Sequence, residues 1–329
     1  MQSDSTLLLS RSDVEALISL RECIDAVEKV FQQQDKLPVP GILGIKTENG
    51  SLHVKTAFST ADRKYIVAKL NTNFPQNRQR FGLATILGVI LVCDAENGRA
   101  LALLDSIDIT IKRTAAATAV AAKYLARKNS SVATICGCGT QGGAQLRALN
   151  LLLPLKKVYA FDVDQNASSR LATQLSSELK IEIEPVRHLP VAIRNSDVCV
   201  TCTPATEFLV HKKDVAPGTF IAAIGADDSH KQEIDPALMS SAKVVADNLE
   251  QVCEIGDSHH AIAAGLMCKE DIYAELSEIV TGRKPGRTND DEIIIFDSTG
   301  VAIEDAAAAT LVYEKARAAE IMNSFEFAA

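Results

Sequence analysis

Four positions in the chain place charged or hydroxyl side chains among apolar or small neighbours. They are Lys69, Arg113, Asp227 and the adjacent pair Asp297 and Ser298. A guanidinium can bind a carboxylate through two parallel hydrogen bonds, and a lysine or an aspartate can pass a proton to or from a reacting group. Asp227 follows an apolar run, and an acid at the carboxyl end of a parallel strand points into the ligand crevice of an α/β sheet. An ordinary solvated charge is equally consistent with each position.

Residues 132–142 predict a coenzyme-binding turn. A β-branched, apolar stretch leads into the pattern Gly-x-Gly-x-x-Gly, formed by Gly137, Gly139 and Gly142. A helix-compatible segment follows, and a second apolar run ends in Asp162, twenty residues after Gly142. This order is the one that a dinucleotide-binding β-α-β unit requires, and the alternative is a structural glycine-rich turn. Gly137 permits the tight turn, Gly139 lets the backbone approach a diphosphate, and Gly142 lets the helix pack closely on the sheet.

Asp162 indicates which dinucleotide would bind. A carboxylate at the end of the second strand accepts hydrogen bonds from a ribose 2′-hydroxyl and repels a 2′-phosphate. Residues 163–166 contain no Arg or Lys that could hold such a phosphate. The sequence therefore favours NAD(H) over NADP(H), and an exposed turn aspartate is the alternative.

Length, composition and charge limit the class of protein. The 329 residues are 47% hydrophobic and 23% charged, which suits one large or two ordinary globular domains. The net charge of −8 gives a nucleic-acid partner no electrostatic support. No segment approaches the roughly 20 apolar residues of a membrane span, and the first residues lack the basic region of a secretory signal. We expect neither a nucleic-acid partner nor a membrane partner.

The eight cysteines are scattered and lie mostly inside apolar runs. Cys199 and Cys202 have Cys-x-x-Cys spacing, but they fall in a predicted strand, where cysteine usually acts as a small buried hydrophobe. No second such pair and no histidine pair has the spacing of metal ligands. We expect reduced thiols, no metal site and a cytoplasmic location.

The order of elements predicts two kinds of domain. A capping box of Ser12 and Glu15 opens a helix that continues to Phe31, and an antiparallel meander follows. From residue 110 a long Ala-rich helix leads into a regular alternation of strands and helices, which implies a mostly parallel sheet. The fold class is α/β, with a Rossmann-type domain at residues 115–302 and an α+β domain for substrate binding and dimerisation at residues 1–114 and 303–329. The predicted strands are residues 41–46, 52–57, 65–71, 85–94, 100–104, 132–137, 157–162, 197–203, 219–225, 243–247 and 292–298.

Five motifs together resemble the ornithine cyclodeaminase/μ-crystallin family, which also contains archaeal-type alanine dehydrogenases and ketimine reductases. The resemblance runs in register from about residue 14 to residue 316. The motifs are Lys69-x-Asn71-x-x-x-Pro75, Arg113-Thr114-Ala115-Ala116, Gly137-Cys138-Gly139-Thr140-Gln141, Gly225-Ala226-Asp227 and Phe296-Asp297-Ser298-Thr299-Gly300.

The resemblance implies a homodimer and a set of site residues. Arg113 would bind the substrate carboxylate, Lys69 would hydrogen-bond the carboxylate or the reacting nitrogen, and Asp227 would assist proton transfer at the amine or imine. Asn71 of the first motif would be a further substrate-binding residue. Lys55, which is not one of the family's motif positions, is predicted from its own place in the sequence to join it. The implied coenzyme-binding residues are Gly137, Gly139, Thr140, Gln141, Gly142, Asp162, Thr201, Thr203, Thr114 and Ser298.

One departure from the family concerns the substrate carboxylate. Many members carry a basic residue at the start of the second meander strand, but residues 38–42 hold no charge here. Lys46 or Lys55 could replace it, or both could face solvent. Lys55 alternates with His53, so these basic groups share one face of a strand and oppose binding of a diamine. Glu48 or Asp62 could still supply a compensating acid.

The sequence leaves three functions open. The first is an NAD-dependent oxidoreductase that reduces a cyclic ketimine such as Δ1-pyrroline-2-carboxylate to proline, or interconverts a small 2-oxo acid plus ammonia with its amino acid. The second is a cyclodeaminase that converts ornithine to proline and ammonia and recycles its NAD internally. The third is a non-enzymatic protein that keeps the nucleotide site, which an Asp227→Asn variant with unchanged ligand affinity would support.

Overall fold

The computed structural model describes residues 5–60 and 63–327. They divide into two compact units, one within Met1–Arg113 and Val301–Ala329 and the other at Thr114–Gly300. The boundaries predicted from the sequence differ from these by one residue at the first crossing and by two residues at the second.

The first unit contains a mixed sheet with helices packed against it. In chain order its elements begin with β1 (Thr6–Leu9), α1 (Arg11–Leu17), α2 (Leu20–Gln33), β2 (Gly41–Lys46), β3 (Ser51–Thr60), β4 (Lys64–Asn73), α3 (Asn77–Phe81), β5 (Ile86–Asp94), β6 (Ala100–Asp105) and the start of α4 (Ile107–Leu125).

The predicted first helix is two helices in the structure. Ser10, with Asp13 at the third helical position, forms the capping box of α1, so the predicted box at Ser12 was wrong by two residues. A second box, formed by Ser19 and Glu22, opens α2. Because each serine satisfies otherwise unpaired N–H groups at a helix start, the chain restarts the helix at Ser19 instead of continuing it.

The second unit is built on a parallel sheet. It holds β7 (Val132–Cys136), α5 (Thr140–Asn150), β8 (Lys157–Phe161), α6 (Gln165–Leu179), β9 (Glu182–Val186), α7 (Leu189–Arg194), β10 (Val198–Thr201), β11 (Phe220–Ala223), α8 (Pro236–Met239), β12 (Lys243–Ala246), α9 (Leu249–Ile255), α10 (Asp257–Ala263), β13 (Ala274–Glu275), α11 (Leu276–Val280) and β14 (Ile294–Asp297). The chain then returns to the first unit with α12 (Ala302–Ala318) and β15 (Ser324–Phe325).

The strand order of the second unit confirms the predicted fold class. The order is β13-β12-β14-β11-β10-β7-β8-β9, and every pairing is parallel. The order β9-β8-β7-β10-β11-β14 is that of a dinucleotide-binding sheet, in which the direction of winding reverses between β7 and β10. A ligand of such a sheet binds outside the carboxyl ends of the strands at this reversal.

The sheet of the first unit orders its strands β15-β1-β6-β5-β4-β3-β2. The meander from β2 to β6 is antiparallel, as predicted, and β1 joins β6 in parallel. Helix α12 packs against β3 and β4. The alternation of side chains along these strands therefore gives the sheet one face toward α12 and one face away from it.

Candidate functional site

The glycine turn of the second unit has contacts that only glycine allows. Gly137 has φ +95°, and a Cβ there would lie 2.7 Å from the carbonyl oxygen of Cys202. A Cβ on Gly142 would lie 2.0 Å from the carbonyl oxygen of Gly137. Since real Cβ atoms do not approach oxygen so closely, the turn can pack against the residue after β10, and the start of α5 against the turn, only with these glycines in place.

The space in front of α5 fits a diphosphate. Gly139 precedes the helix, and no atom lies within 4 Å of the position that its Cβ would occupy. Helix α5 begins at Thr140, so its first N–H groups have no partner within the helix. Nε2 of Gln141 is buried and has no hydrogen-bond partner among the described residues. Unpaired N–H donors at a helix start are the groups that would bind the diphosphate of a dinucleotide.

Asp162 follows β8 and accepts a hydrogen bond from the backbone of the glycine turn. Its Oδ2 accepts the N–H of Cys138 at 2.8 Å, and its Oδ1 accepts the N–H of Asp164 at 2.9 Å. The half-buried carboxylate is thereby fixed at the end of the second strand, where a ribose would present its hydroxyls. Burial raises the pKa of the Cys138 thiol to about 12, so that thiol stays protonated.

Four other residues were predicted to bind the coenzyme, namely Thr114, Thr201, Thr203 and Ser298. Thr201 ends β10 and is buried, and Thr114 lies within α4. Thr203 donates its N–H and its hydroxyl to Glu233, both at 2.7 Å. The hydroxyl of Ser298 donates to Asp247 at 3.0 Å. Thr203 therefore holds the loop that follows β10, and Ser298 holds the loop that follows β14.

Asp227 lies in the loop after β11, and its side chain is 55% exposed. Its Oδ1 is 2.5 Å from Nζ of Lys231. The backbone of Lys231 is held in turn by His260, whose Nε2 lies 2.8 Å from the Lys231 carbonyl oxygen. A carbonyl oxygen only accepts, so the ring nitrogen donates this bond. The predicted catalytic aspartate thus sits on a loop braced by a lysine and a histidine.

Four fully buried carboxylates lie along this edge of the second unit, and they are Glu233, Asp247, Asp257 and Asp297. Each accepts hydrogen bonds from the backbone of another segment. Burial raises the pKa of Glu233 and of Asp257, and it raises the pKa of Asp297 to about 7. Neighbouring buried carboxylates of this kind favour the protonated form because two adjacent negative charges repel each other.

In the first unit, Lys69 and Arg113 belong to one buried cluster of charges. Nζ of Lys69 lies 2.8 Å from Oδ1 of Asp305, and Nε of Arg113 lies 3.0 Å from the same oxygen. NH1 of Arg113 lies 2.8 Å from Oε2 of Glu304. All four side chains are at most 7% exposed. Two cations and two carboxylates therefore balance within the cluster.

The sheet register places the other predicted substrate residues on the face of Lys69. Lys55 of β3 is paired with Lys69, and His53 is paired with Asn71. Lys69 lies inside β4, which runs to Asn73, two residues beyond the predicted end of this strand. The Asn71 amide oxygen accepts the hydroxyl of Ser106 at 2.6 Å.

The environment of Lys69 changes its acidity. Burial lowers its pKa to about 8, the positive charges of Arg113 and Lys55 also lower it, and Asp305 opposes them. Burial alone would raise the pKa of Asp305, but Arg113 and Lys69 outweigh burial and leave that pKa below its usual value. Lys69 can therefore gain or lose a proton near neutral pH while Asp305 stays ionised.

The structure brings the predicted residues together in two groups. The glycine turn, Asp162, Thr201 and Thr203 meet at one edge of the parallel sheet, and Lys69, Arg113 and Lys55 meet in the first unit. The sequence prediction missed Glu304, Asp305, Lys231 and the buried acids of the second unit other than Asp297. Glu304 and Asp305 did carry a signal, because acids inside an Ala-rich run must find partners when that run is buried.

Several other sequence features have a plain structural role. His259 and His260 each bond a backbone carbonyl through one ring nitrogen. All eight cysteines are free thiols. Within residues 5–60 and 63–327, no three His, Cys, Asp or Glu side chains are grouped as metal ligands, and no helix is long and apolar enough to cross a membrane. Glu48 is exposed in the turn between β2 and β3, and Asp62 lies outside the described residues.

Known proteins resemble the chain over nearly its whole length. The ornithine cyclodeaminase/mu-crystallin family matches residues 4–320. The alanine dehydrogenase of Archaeoglobus fulgidus is 37% identical over 325 residues, which cover 98% of both chains. An archaeal alanine dehydrogenase dimer with bound NAD superposes with a TM-score of 0.94, at 38% identity and with 98% and 99% of the two chains covered.

Two further solved structures represent other activities. The Δ1-pyrroline-2-carboxylate reductase of Thermococcus litoralis, in complex with NADH and L-proline, has a TM-score of 0.91, 35% identity and coverage of 97% of this chain and 99% of that one. A lysine cyclodeaminase that recognises L-lysine, L-ornithine and L-2,4-diaminobutyric acid has a TM-score of 0.82, 27% identity and coverage of 97% and 95%.

Proposed function

The chain belongs to the ornithine cyclodeaminase/mu-crystallin family, and we propose that it is an NAD-dependent oxidoreductase acting on carbon–nitrogen bonds. Its reaction is the reduction of a cyclic ketimine such as Δ1-pyrroline-2-carboxylate to L-proline, or the interconversion of a small 2-oxo acid plus ammonia with its amino acid. Relatives with both activities support this proposal.

The observation that carries the proposal is the buried ion pair of Lys69 and Asp305. A lysine whose pKa is about 8 exists in both protonation states near neutral pH. A group that donates a proton in one direction of a reaction and accepts it in the reverse direction needs both states. Asp305 and Arg113 fix the position of its Nζ through contacts at 2.8 and 3.0 Å. A solvated surface lysine would have neither property.

The chain's own residues would handle the proton of the reaction. NADH, when bound, supplies the hydride that forms the new C–H bond at the imine carbon. The electron pair of the C=N bond then remains on nitrogen, so a proton must be held at that atom. We assign this proton to Lys69, with Asp227 assisting, and each such group contributes about 10²–10⁴-fold to the rate.

Arg113 would bind the substrate carboxylate. Glu304 and Asp305 hold its guanidinium from two sides, so its plane is fixed before any substrate arrives. A fixed fork of N–H donors loses little conformational entropy when it binds a carboxylate. The cluster itself is neutral, and Lys55 on the same face adds a positive charge that favours an anionic group.

The charge of this face also distinguishes the two enzyme classes. A cyclodeaminase substrate carries a distal ammonium, which Lys55 would repel. Among the acids suggested from the sequence, Glu48 is exposed in a turn. The reductase and dehydrogenase reactions involve no distal ammonium, so we favour them over ornithine cyclodeaminase, which remains the alternative.

Following NADH absorbance tests the proposal. Purified protein is mixed with Δ1-pyrroline-2-carboxylate, with pyruvate plus ammonia, and with ornithine. We expect NADH oxidation with at least one of the first two. We also expect at least a 10²-fold loss in a Lys69→Met variant but not in Lys64→Met, an exposed residue of the same strand. No turnover of any imine or 2-oxo acid would contradict the proposal.

We also propose that the chain forms a homodimer through the sheet face that points away from α12. Leu43, Leu70 and Val89 lie in one row across β2, β4 and β5, and they are 61%, 40% and 40% exposed. A row of large apolar side chains of this kind marks an interaction surface, and an archaeal alanine dehydrogenase is a dimer. Light scattering should give twice the chain mass for the wild type and the single chain mass for Leu70→Glu. The predicted cytoplasmic location stays a prediction.

A further inference from the structure

Glu233 joins the ends of two neighbouring strands in the second unit. Its Oε1 accepts both the N–H and the hydroxyl of Thr203 at 2.7 Å, and its Oε2 accepts the N–H of Gly225 at 2.8 Å. Thr203 follows β10 and Gly225 follows β11. One fully buried carboxylate therefore fixes both loops at the edge of the sheet where a coenzyme binds.

Asp227 is attached directly to this clamp. It lies two residues after Gly225, and its N–H donates to the Gly225 carbonyl oxygen at 3.1 Å. A Cβ at Gly225 would lie 2.4 Å from the Thr203 carbonyl oxygen and 2.6 Å from the Glu233 carboxylate. The two loops therefore touch at this glycine, and a shift of Glu233 would move Asp227.

We infer that Glu233 is a positioning residue, which holds the Asp227 loop in register with the Thr203 loop so that the proton-transfer group is aligned with the coenzyme. The inference rests on the proposed function. Asp227 acts on the substrate, whereas Glu233 acts only through the backbone that carries Asp227. Neither the glycine motif nor the family resemblance assigns Glu233 a role.

The clamp is itself anchored in the core. Oδ1 of Asp257 accepts the N–H of Glu233 at 2.8 Å and the N–H of Ile234 at 2.9 Å. Asp297 accepts the N–H of Asp257 at 3.3 Å and both the N–H and the hydroxyl of Ser258, at 2.8 and 2.6 Å. Three buried carboxylates in succession thus connect β14, α10 and the Glu233 segment. Such a connection leaves Glu233 little freedom to follow a displaced loop.

A Glu233→Gln variant breaks one side of the clamp. Glutamine has a single acceptor oxygen, and the two donors of Thr203 hold that oxygen at the Oε1 position. The new NH2 group then faces the N–H of Gly225, where two donors meet and no hydrogen bond forms. We expect kcat to fall about 10- to 100-fold, because small misplacements of a catalytic group cost this much.

The control is Glu292→Gln. Glu292 accepts the N–H and hydroxyl of Thr288, at 2.8 and 2.7 Å, and the N–H of Asn289 at 3.3 Å. It therefore clamps a loop with similar bonds and, unlike Glu233 in the described part of the chain, also pairs with a lysine, Lys243. It precedes β14 at the opposite edge of the sheet. We expect kcat of this variant to stay within about twofold of the wild type, since loops at that edge do not carry ligands.

A positioning role is distinguished from general damage to the fold by comparing the change in kcat with the changes in the NADH Kd and the substrate KM. In Glu233→Gln we expect the NADH Kd and the substrate KM to stay within about threefold while kcat falls. An unchanged kcat, an equal loss in Glu292→Gln, or an NADH Kd that weakens as much as kcat falls would each overturn the inference. A full rate in Asp227→Asn would contradict the proposed role of Asp227 and this inference with it. A low rate in Asp227→Asn together with a full rate in Glu233→Gln would overturn the inference about Glu233 and leave the proposed role of Asp227 in place.

A second measurement does not depend on the variant folding. In the wild-type protein, the amide hydrogens of Gly225 and Thr203 should exchange slowly, as hydrogen-bonded amides at buried sites do. Exchange of the Gly225 amide at the rate of an exposed loop would show that the clamp is open in solution and would refute the inference.

Discussion

Asp305→Asn removes the charge that balances Lys69 and Arg113. In the wild type, Oδ1 of Asp305 lies 2.8 Å from the ammonium and 3.0 Å from the guanidinium, and all three groups are buried. Breaking a buried ion pair by removing one partner costs about 3–5 kcal/mol, since the other charge stays in the interior. We therefore expect the melting temperature to fall by on the order of 10 °C.

The same change alters the acidity of Lys69 in a defined direction. Burial, Arg113 and Lys55 all lower the Lys69 pKa, and Asp305 opposes them, which leaves it at about 8. Without the Asp305 charge this pKa falls further. Lys69 then loses its proton at a lower pH, so the alkaline limb of the kcat/KM profile for imine reduction should move toward neutral pH. At pH 8 the rate should drop about 10- to 100-fold.

Thermal unfolding and a pH–rate profile test this reasoning together. The control is Glu250→Gln, which breaks the pair with Lys269 at an exposed site and should change stability by less than about 1 kcal/mol. If the Asp305→Asn protein has the melting temperature of the wild type and an unchanged alkaline limb in its pH–rate profile, the cluster does not set the charge of Lys69.

Three other predictions follow from the second unit. Gly142→Ala forces a Cβ to within 2.0 Å of the Gly137 carbonyl oxygen and should weaken the NADH Kd at least about 10-fold in calorimetry. In the control, Gly143→Ala, the Cβ meets the end of a flexible arginine at 3.3 Å and Leu175 at an ordinary contact distance of 3.9 Å, so this variant should bind NADH normally. Asp162→Asn should lower the ratio of NADPH Kd to NADH Kd in the same assay, because the repulsion of a 2′-phosphate is removed. Asp297 has a folded-state pKa of about 7, above its unfolded value, so its contribution to stability is full below about pH 4 and is lost as the pH rises to 7. Denaturant titrations should show this loss, roughly 1.4 kcal/mol per pH unit, and Asp297→Asn should remove it.

The sequence predicted the coenzyme half of the site better than the substrate half. Most of the parallel strands are short apolar runs that end at, or within two residues before, a Gly, Asp or Thr. A glycine turn also has local requirements that neighbouring residues reveal. Strand β9 was missed because it alternates Glu with Ile and contains Pro185, a pattern that does not favour a buried strand. It is an edge strand, where such residues are tolerated.

The substrate half depends on contacts that no local pattern contains. Lys69 and Asp305 are 236 residues apart in the chain, and their contact exists only because α12 packs on β4. Two acids inside the Ala-rich helix α12 indicate that some charge partner exists, but the sequence does not show which residues it pairs with. The motif around Lys69 identified the lysine but could not identify the acid that sets its pKa.

The destination of the coenzyme's hydrogen tests the central claim most directly. NADH deuterated at both C4 positions is incubated with the protein and, in separate samples, with Δ1-pyrroline-2-carboxylate, with pyruvate plus ammonia, or with ornithine. The products are analysed by mass spectrometry and NMR. We expect L-proline from the imine, or alanine from pyruvate plus ammonia, with one deuterium at Cα and one NADH oxidised for each product molecule. Proline made only from ornithine, without deuterium and without net loss of NADH, would contradict the proposed function.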